Sequence, residues 1–221
     1  MSASARWSIV AAVVVVALSA ALWSELAAGN GPGGPASSSS SATGTSTARD
    51  RRDADTAETL AGPRARADLE PCPGPGSGAG PEPLRPIVLE CAGDGSEVDV
   101  AKALAGRPAV LNLWAYWCGP CADELPAMAE YQRRVGPEVT VVTVHQDENE
   151  TAALLRLAEL GVRLPTLQDG RRSIAAALRV PNVMPATVVL RADGSVAEIL
   201  PRPFATADEI ADAVNPKIGV G

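Results

Sequence analysis

The side chains of this chain best suited to covalent chemistry are concentrated in Trp117-Cys118-Gly119-Pro120-Cys121. They come after the apolar run Ala109-Val110-Leu111-Asn112-Leu113-Trp114 and open a helical pattern, so the two thiols fall at a strand-to-helix junction. In the first turn of a helix, free backbone amides and the helix dipole favour an anion, which makes the first thiol acidic and nucleophilic. Pro120 fits that turn because its missing amide would have no partner there. Cys121, one turn later, is expected to be more buried and to resolve. The chemistry such a pair supports has two steps: a Cys118 thiolate attacks a disulfide, then Cys121 attacks Cys118 and releases the reduced product. Run backwards, the same steps oxidise a dithiol. A redox-active Cys118–Cys121 disulfide is therefore expected.

The competing use of such a spacing is half of a zinc site. Structural zinc takes two such pairs, or one pair with histidines. Here the other cysteines, Cys72 and Cys91, are widely spaced, and His145 is the only histidine. No metal and no organic cofactor is implied. Cys72 and Cys91 are expected to form a structural disulfide that staples the segment before the domain to its first strand. Closing such a loop contributes about 3 kcal/mol in the chain-entropy model. Free thiols or a second redox pair are the alternatives. His145 reads as a strand-end residue; Trp114 and Tyr116 read as core and site-rim residues.

Hydrophobic periodicity gives the secondary structure around the pair. Ile87–Glu90 predicts a short strand, Val98–Leu104 a short helix, and Ala109–Trp114 a buried strand. Cys118 to about Gly136 predicts a helix kinked at Pro126, which removes an amide donor. Val139–Val144 is a second buried strand, Glu150–Leu160 an amphipathic helix ended by Gly161, and Arg172–Leu178 a shorter helix. Ala186–Arg191 and Val196–Leu200 are strands joined through Asp193-Gly194, a turn sequence. Thr206 with Glu209 marks the start of a last helix running to about Val214. From Ala109 onward the order is β-α-β-α-α-β-β-α, an α/β fold with a central mixed sheet and helices on both faces.

Composition bounds the rest. The 221 residues carry a net charge of −7 and no basic run, which argues against a nucleic-acid surface. Residues 1–28 read as a signal-anchor. Trp7–Trp23 is uncharged and would make a helix of about 25 Å at ~1.5 Å per residue, at the short end for a bilayer span. Arg6 on its near side favours a cytoplasmic N-terminus. A cleaved signal peptide ending near Ala27-Ala28-Gly29 is the other reading. Both export the remainder of the chain. Residues 29–83, rich in Gly, Ser, Pro and Ala, read as a disordered tether, with order beginning near Leu84 and a domain spanning 84–215.

Asn112-Leu113-Trp114-Ala115-Tyr116-Trp117-Cys118-Gly119-Pro120-Cys121-Ala122-Asp123-Glu124-Leu125-Pro126 resembles the membrane-anchored TlpA/ResA-like branch of the thioredoxin superfamily. The resemblance covers about Leu84–Val214 and implies a thioredoxin-like fold behind an N-terminal transmembrane helix. Met184-Pro185 matches the family's cis-proline site, where the residue before the proline pairs with substrate like an added strand. Trp117, Met184 and Pro185 are the substrate-binding residues it implies. Glu124 matches an acidic residue of the branch and lies one helical turn beyond Cys121, so it could exchange protons with that thiol; a solvated glutamate is the plainer alternative. Cytoplasmic thioredoxins carry a buried aspartate where this chain has Asn112, which cannot accept a proton at neutral pH.

The function so implied is that of an extracytoplasmic, membrane-tethered disulfide reductase. It would act on protein dithiols and disulfides and draw electrons from a membrane thiol donor. A metallochaperone or binding module on the same fold would want soft ligands beside the cysteines, and Met184 is the one candidate. A thiol peroxidase would need a Pro-x-x-x-Thr-x-x-Cys motif, where this chain has Leu111 and Ala115 before Cys118.

Overall fold

In the computed structural model, which describes residues 55–220, seven strands form one sheet. They are β1 (Val88–Cys91), β2 (Glu97–Asp99), β3 (Ala109–Trp114), β4 (Thr140–His145), β5 (Thr166–Gln168), β6 (Ala186–Leu190) and β7 (Val196–Leu200). The helices are α1 (Ala57–Ala67), α2 (Val100–Ala103), α3 (Gly119–Val135), α4 (Glu150–Leu160), α5 (Ser173–Ala177) and α6 (Ala207–Ile218). The strand order is β2-β1-β5-β4-β3-β6-β7. β3, β4 and β5 run parallel; β6 and β1 flank them antiparallel, and β7 and β2 close the edges as hairpin partners. The expected mixed sheet is present.

Every residue of β3 is buried, and its alternation divides the interior in two. Ala109, Leu111 and Leu113 face a core closed by Val100, Leu104, Ile174 and Leu178, from the α2 and α5 regions. Val110 and Trp114 face a second core closed by Leu125 and Met128 of α3, Leu157 of α4 and Ile210 and Val214 of α6. A strand covered on both faces needs a near-continuous apolar sequence, and Asn112 is the exception in β3.

Several boundaries shift for local reasons. The segment expected as a helix from Val98 opens as edge strand β2, and Asp99 then caps the single turn of α2 by accepting from Lys102 N–H. β5 is three residues long, too short to show a period, and sequence patterning gives no sign of it. α6 runs beyond Val214 to Ile218 and contains Pro216. Its N-cap Thr206 accepts from Glu209 N–H, while Glu209 reaches back to Ala205 N–H. Gly194 (φ 82°) makes the β6–β7 turn, and a Cβ there would lie 2.8 Å from Pro81 N.

The expected tether needs correction from residue 55 onward. α1 is capped by Thr56, and its Leu60 and Ala67 are buried with Ala92 and with Leu154 of α4. Arg64 reaches from α1 to Glu90 and, at 2.9 Å, to Glu150. Cys72 is disulfide-bonded to Cys91 at the end of β1, with Cα atoms 5.9 Å apart. Two of the glycines that suggested disorder are contact glycines: a Cβ on Gly76 would sit 2.1 Å from Ala105 O, and one on Gly80 1.8 Å from Ala101 O. The backbone lies against the α2 segment too closely for any other residue, and Gly76 N–H donates to Lys102 O. Order therefore begins well before Leu84. Residues 7–23 and 29–54 lie outside the described residues. Among the described residues, no helix is long and apolar enough to cross a membrane.

Candidate active site

β3 delivers the chain to the cysteines. After Trp114 the backbone turns, with Cys118 N–H donating to Ala115 O, and Cys118 becomes the N-cap of α3. Its Sγ accepts from Cys121 N–H at 3.3 Å. The sulfur thus occupies the place of the oxygen that usually caps a helix, where orphan amides and the positive dipole end meet. Cys118 and Cys121 are joined as a disulfide with Cα atoms 5.3 Å apart. Cys118 keeps 6 % of its surface in contact with solvent and Cys121 none. Of the two sulfurs, only the first can be approached.

One turn beyond Cys121, Glu124 is fully buried. Its carboxylate accepts from Asn112 Nδ2 at 2.8 Å and from the Phe204 backbone N–H at 3.2 Å. Burial pushes the carboxyl up to about 7, against the opposing pull of those two donors and the positive charge of Arg202. Arg202 itself lies over the Phe204 ring, 4.1 Å from its centre. The solvated alternative for Glu124 does not hold. The group is a buried acid that changes charge near neutral pH.

Asn112 belongs to a polar row crossing the sheet on the α3 side. Thr187 (β6), Asn112 (β3), Thr143 (β4) and Thr166 (β5) are register partners in turn, and all four are fully buried. Thr143 and Thr166 hydroxyls share a 2.8 Å bond, and Trp114 Nε1 donates to Thr143 Oγ1. Beneath Glu124 the row is incompletely satisfied, since Asn112 Oδ1 and Thr187 Oγ1 have no partner among the described residues.

Of the remaining expected residues, Trp117 and Met184 lie at the rim and Pro185 and His145 are buried behind it. The Met184–Pro185 peptide bond is cis. Pro185 immediately precedes Ala186, the register partner of Leu113 near the end of β3. Met184 packs against the apolar cluster holding both cysteines. Trp117 is 60 % exposed, and its indole Nε1 donates to Asp147 Oδ2 at 3.0 Å. The fully buried His145, at the end of β4, stacks obliquely near Trp114 and Tyr116. Its Nδ1 meets Gln168 Oε1, and burial holds its pKa below the usual histidine range. Sequence reading does not find Phe204 and Asp147. Each acts through one long-range bond, 80 residues from Glu124 and 30 from Trp117, and no local spacing announces such a partner.

This geometry has counterparts in known proteins. The thiol–disulfide oxidoreductase ResA of Bacillus subtilis is 29 % identical over 108 residues, 48 % of this chain and 59 % of its own length. The chain thus spans less than two thirds of that relative. A secreted disulfide oxidoreductase of Mycobacterium tuberculosis superposes with a TM-score of 0.53 at 28 % identity, covering 61 % of this chain and 98 % of that one. A DsbF homologue from Corynebacterium diphtheriae gives 0.52 at 26 %, covering 59 % and 83 %. The redoxin family model matches residues 79–215, more than half of the chain. With its cysteine pair at the head of α3 and a cis-proline opening β6, the chain belongs to the redoxin family of the thioredoxin superfamily and is ResA-like within it.

Proposed function

We propose that the chain is a thiol–disulfide oxidoreductase that works outside the cytoplasm, as a disulfide reductase held at the membrane by residues 7–23. One observation carries the reading: Cys118 Sγ caps α3 and is bonded to Cys121, one turn from a buried glutamate that titrates near neutrality. In the reduced enzyme the Cys118 thiolate, held by the amides of the first turn, attacks one sulfur of a substrate disulfide. The other substrate sulfur leaves as a thiolate and takes a proton from solvent. Ionised Glu124 then accepts the Cys121 proton, and the Cys121 thiolate attacks Cys118 Sγ. The Cys118–Cys121 disulfide forms and the substrate leaves with both sulfurs reduced. The backbone at Met184 pairs with the substrate chain, and Trp117 covers it at the rim.

The substrates are protein disulfides, and the electrons that restore the dithiol come from a membrane thiol donor. The location draws support from the apolar segment at residues 7–23 and from the secreted oxidoreductase that shares the fold. The deciding experiment is the reduction potential of the pair in thiol redox buffers. A value near or below about −230 mV supports a reductase, and one near −120 mV makes the protein an oxidant of new disulfides. An absence of any exchange overturns the assignment.

A further inference from the structure

Beside the cis-proline loop, the structure holds a feature that thiol exchange does not require. Arg171, Arg172 and Arg179 line a cavity of about 370 Å³ together with Ala175, Ala176, Val180 and Asn182. The lining has three guanidinium groups and no carboxylate, in a chain whose net charge is −7. Among the described residues, the exposed Arg171 and Arg179 have no side-chain ion pair or hydrogen bond; Arg66, Arg85 and Arg107 are likewise exposed and unpaired, but Arg171 and Arg179 share one cavity lining. Arg172 and Arg179 also adopt left-handed backbone conformations, φ 58° and 56°, which residues other than glycine rarely take.

The patch is tied to the site. Arg172 Nη1 donates to Asn182 Oδ1 at 2.6 Å, and Asn182 stands two residues before Met184. Arg172 Nε donates to Gln146 Oε1, and Gln146 N–H donates to Trp114 O at the end of β3. Arg172 thus joins the cis-proline loop to the strand ends beneath the cysteines and leaves its two neighbours free to meet a ligand. The exposed Val183 lies between Asn182 and Met184 and gives the same rim an apolar point. The nearby carboxylates are engaged elsewhere: Asp147 with Trp117 and Asn149 N–H, and Asp169 with the first amides of α5. Arg171 also lines a second cavity with Glu90, Glu148 and Asp169, and Arg179 a third with Glu82, but neither forms an ion pair with these carboxylates.

We infer that this arginine cluster is a specificity site for acidic protein substrates: it binds aspartate or glutamate side chains that flank the target cysteine while the substrate strand lies at Met184. The inference rests on the exchange activity proposed above. Unpaired guanidinium groups suit this role because they bind carboxylates through paired donors and steer an oppositely charged partner before contact.

The test compares three disulfide peptides of one sequence core, with acidic, neutral or basic flanks, reduced by the full chain in mild detergent. The acidic peptide is expected to have a kcat/KM about tenfold above the neutral one, and added salt should remove the advantage. R171Q/R179Q should abolish the preference without changing the rate on the neutral peptide, and R171K/R179K should restore much of it. Equal rates on all three peptides, or an equal loss on all three in R171Q/R179Q, would overturn the inference and leave the exchange activity standing. Failure of the unaltered chain to reduce any of them would remove both.

Discussion

A single residue sets the pH behaviour of this site. Glu124, proposed above as the proton acceptor for Cys121, lies one helical turn beyond it, and burial holds its carboxyl up to about 7. A base must be ionised to act, so the resolving step should quicken as pH rises through about 7 and then level. Glu124→Gln keeps the volume and an acceptor for Phe204 N–H while removing the titration; its Nε2 can donate to the unpartnered Asn112 Oδ1 once the Asn112 amide turns over. The step should slow by roughly a hundredfold, the low end of what a positioned base contributes. Stopped-flow decay of the Cys118 mixed disulfide measures it, and a variant that keeps the inflection near 7 would remove Glu124 from the mechanism. The cysteine pair and the match of Glu124 are legible in the sequence because their partners are three residues apart. That Glu124 is buried at all is decided by Asn112 and Phe204, which come from other elements.

Among the helices, α1 illustrates what patterning misses. Its sequence, AETLAGPRARA, contains Gly62 and Pro63 and buries only Leu60 and Ala67, so it has no apolar stripe to read. What fixes it is long-range. Arg64 meets carboxylates 26 and 86 residues away, and Asp55 caps α4 by accepting from Glu150 and Thr151 N–H. Arg64 and Glu150 keep only 12 % and 6 % of their side-chain surfaces exposed, so removing one partner strands the other in a dry setting. Arg64→Ala should cost about 3 kcal/mol in denaturant unfolding; a loss below about 1 kcal/mol would show that α1 docks through its apolar residues alone. The disulfide carries a separate prediction. Cys72 and Cys91 are 19 residues apart, so Cys72→Ala with Cys91→Ala should lower stability by about 3 kcal/mol through loop entropy. The reduction potential of Cys118–Cys121 should not move, and a shift would mean that the second disulfide belongs to the redox chemistry. β3, α4 and the β6–β7 hairpin, by contrast, are each long or punctuated enough to be read locally.

Taken over the whole molecule, three buried titrating groups shape how stability changes toward neutral pH. Burial raises Glu124 and Glu150 to about 7 and lowers His145. A carboxyl with a raised folded-state pKa binds more protons folded than unfolded. The stability it gives is complete below its ordinary value near 4.5 and is lost as pH climbs through about 7. Each shift corresponds to at most about 3–4 kcal/mol at ~1.4 kcal/mol per unit, and for Glu150 the Arg64 guanidinium offsets part of it. His145 acts in the opposite sense, because the unfolded chain takes up its proton below about 6.5 and the folded one resists. Between about pH 5 and 7 two glutamates oppose one histidine and stability falls with rising pH; below that, Asp94, Asp99, Glu130, Asp193 and Glu198, whose hydrogen bonds hold their carboxyls low, lose their contribution and stability falls with acid. Urea midpoints measured from pH 4 to 8 should therefore peak near pH ~5. Glu124→Gln should flatten the alkaline side, leaving Glu150 as the one raised carboxyl, opposed by His145. A midpoint that instead rose steadily toward pH ~8 would mean that Glu124 is ionised and satisfied in the folded state, and the proton acceptor for Cys121 would have to be sought elsewhere.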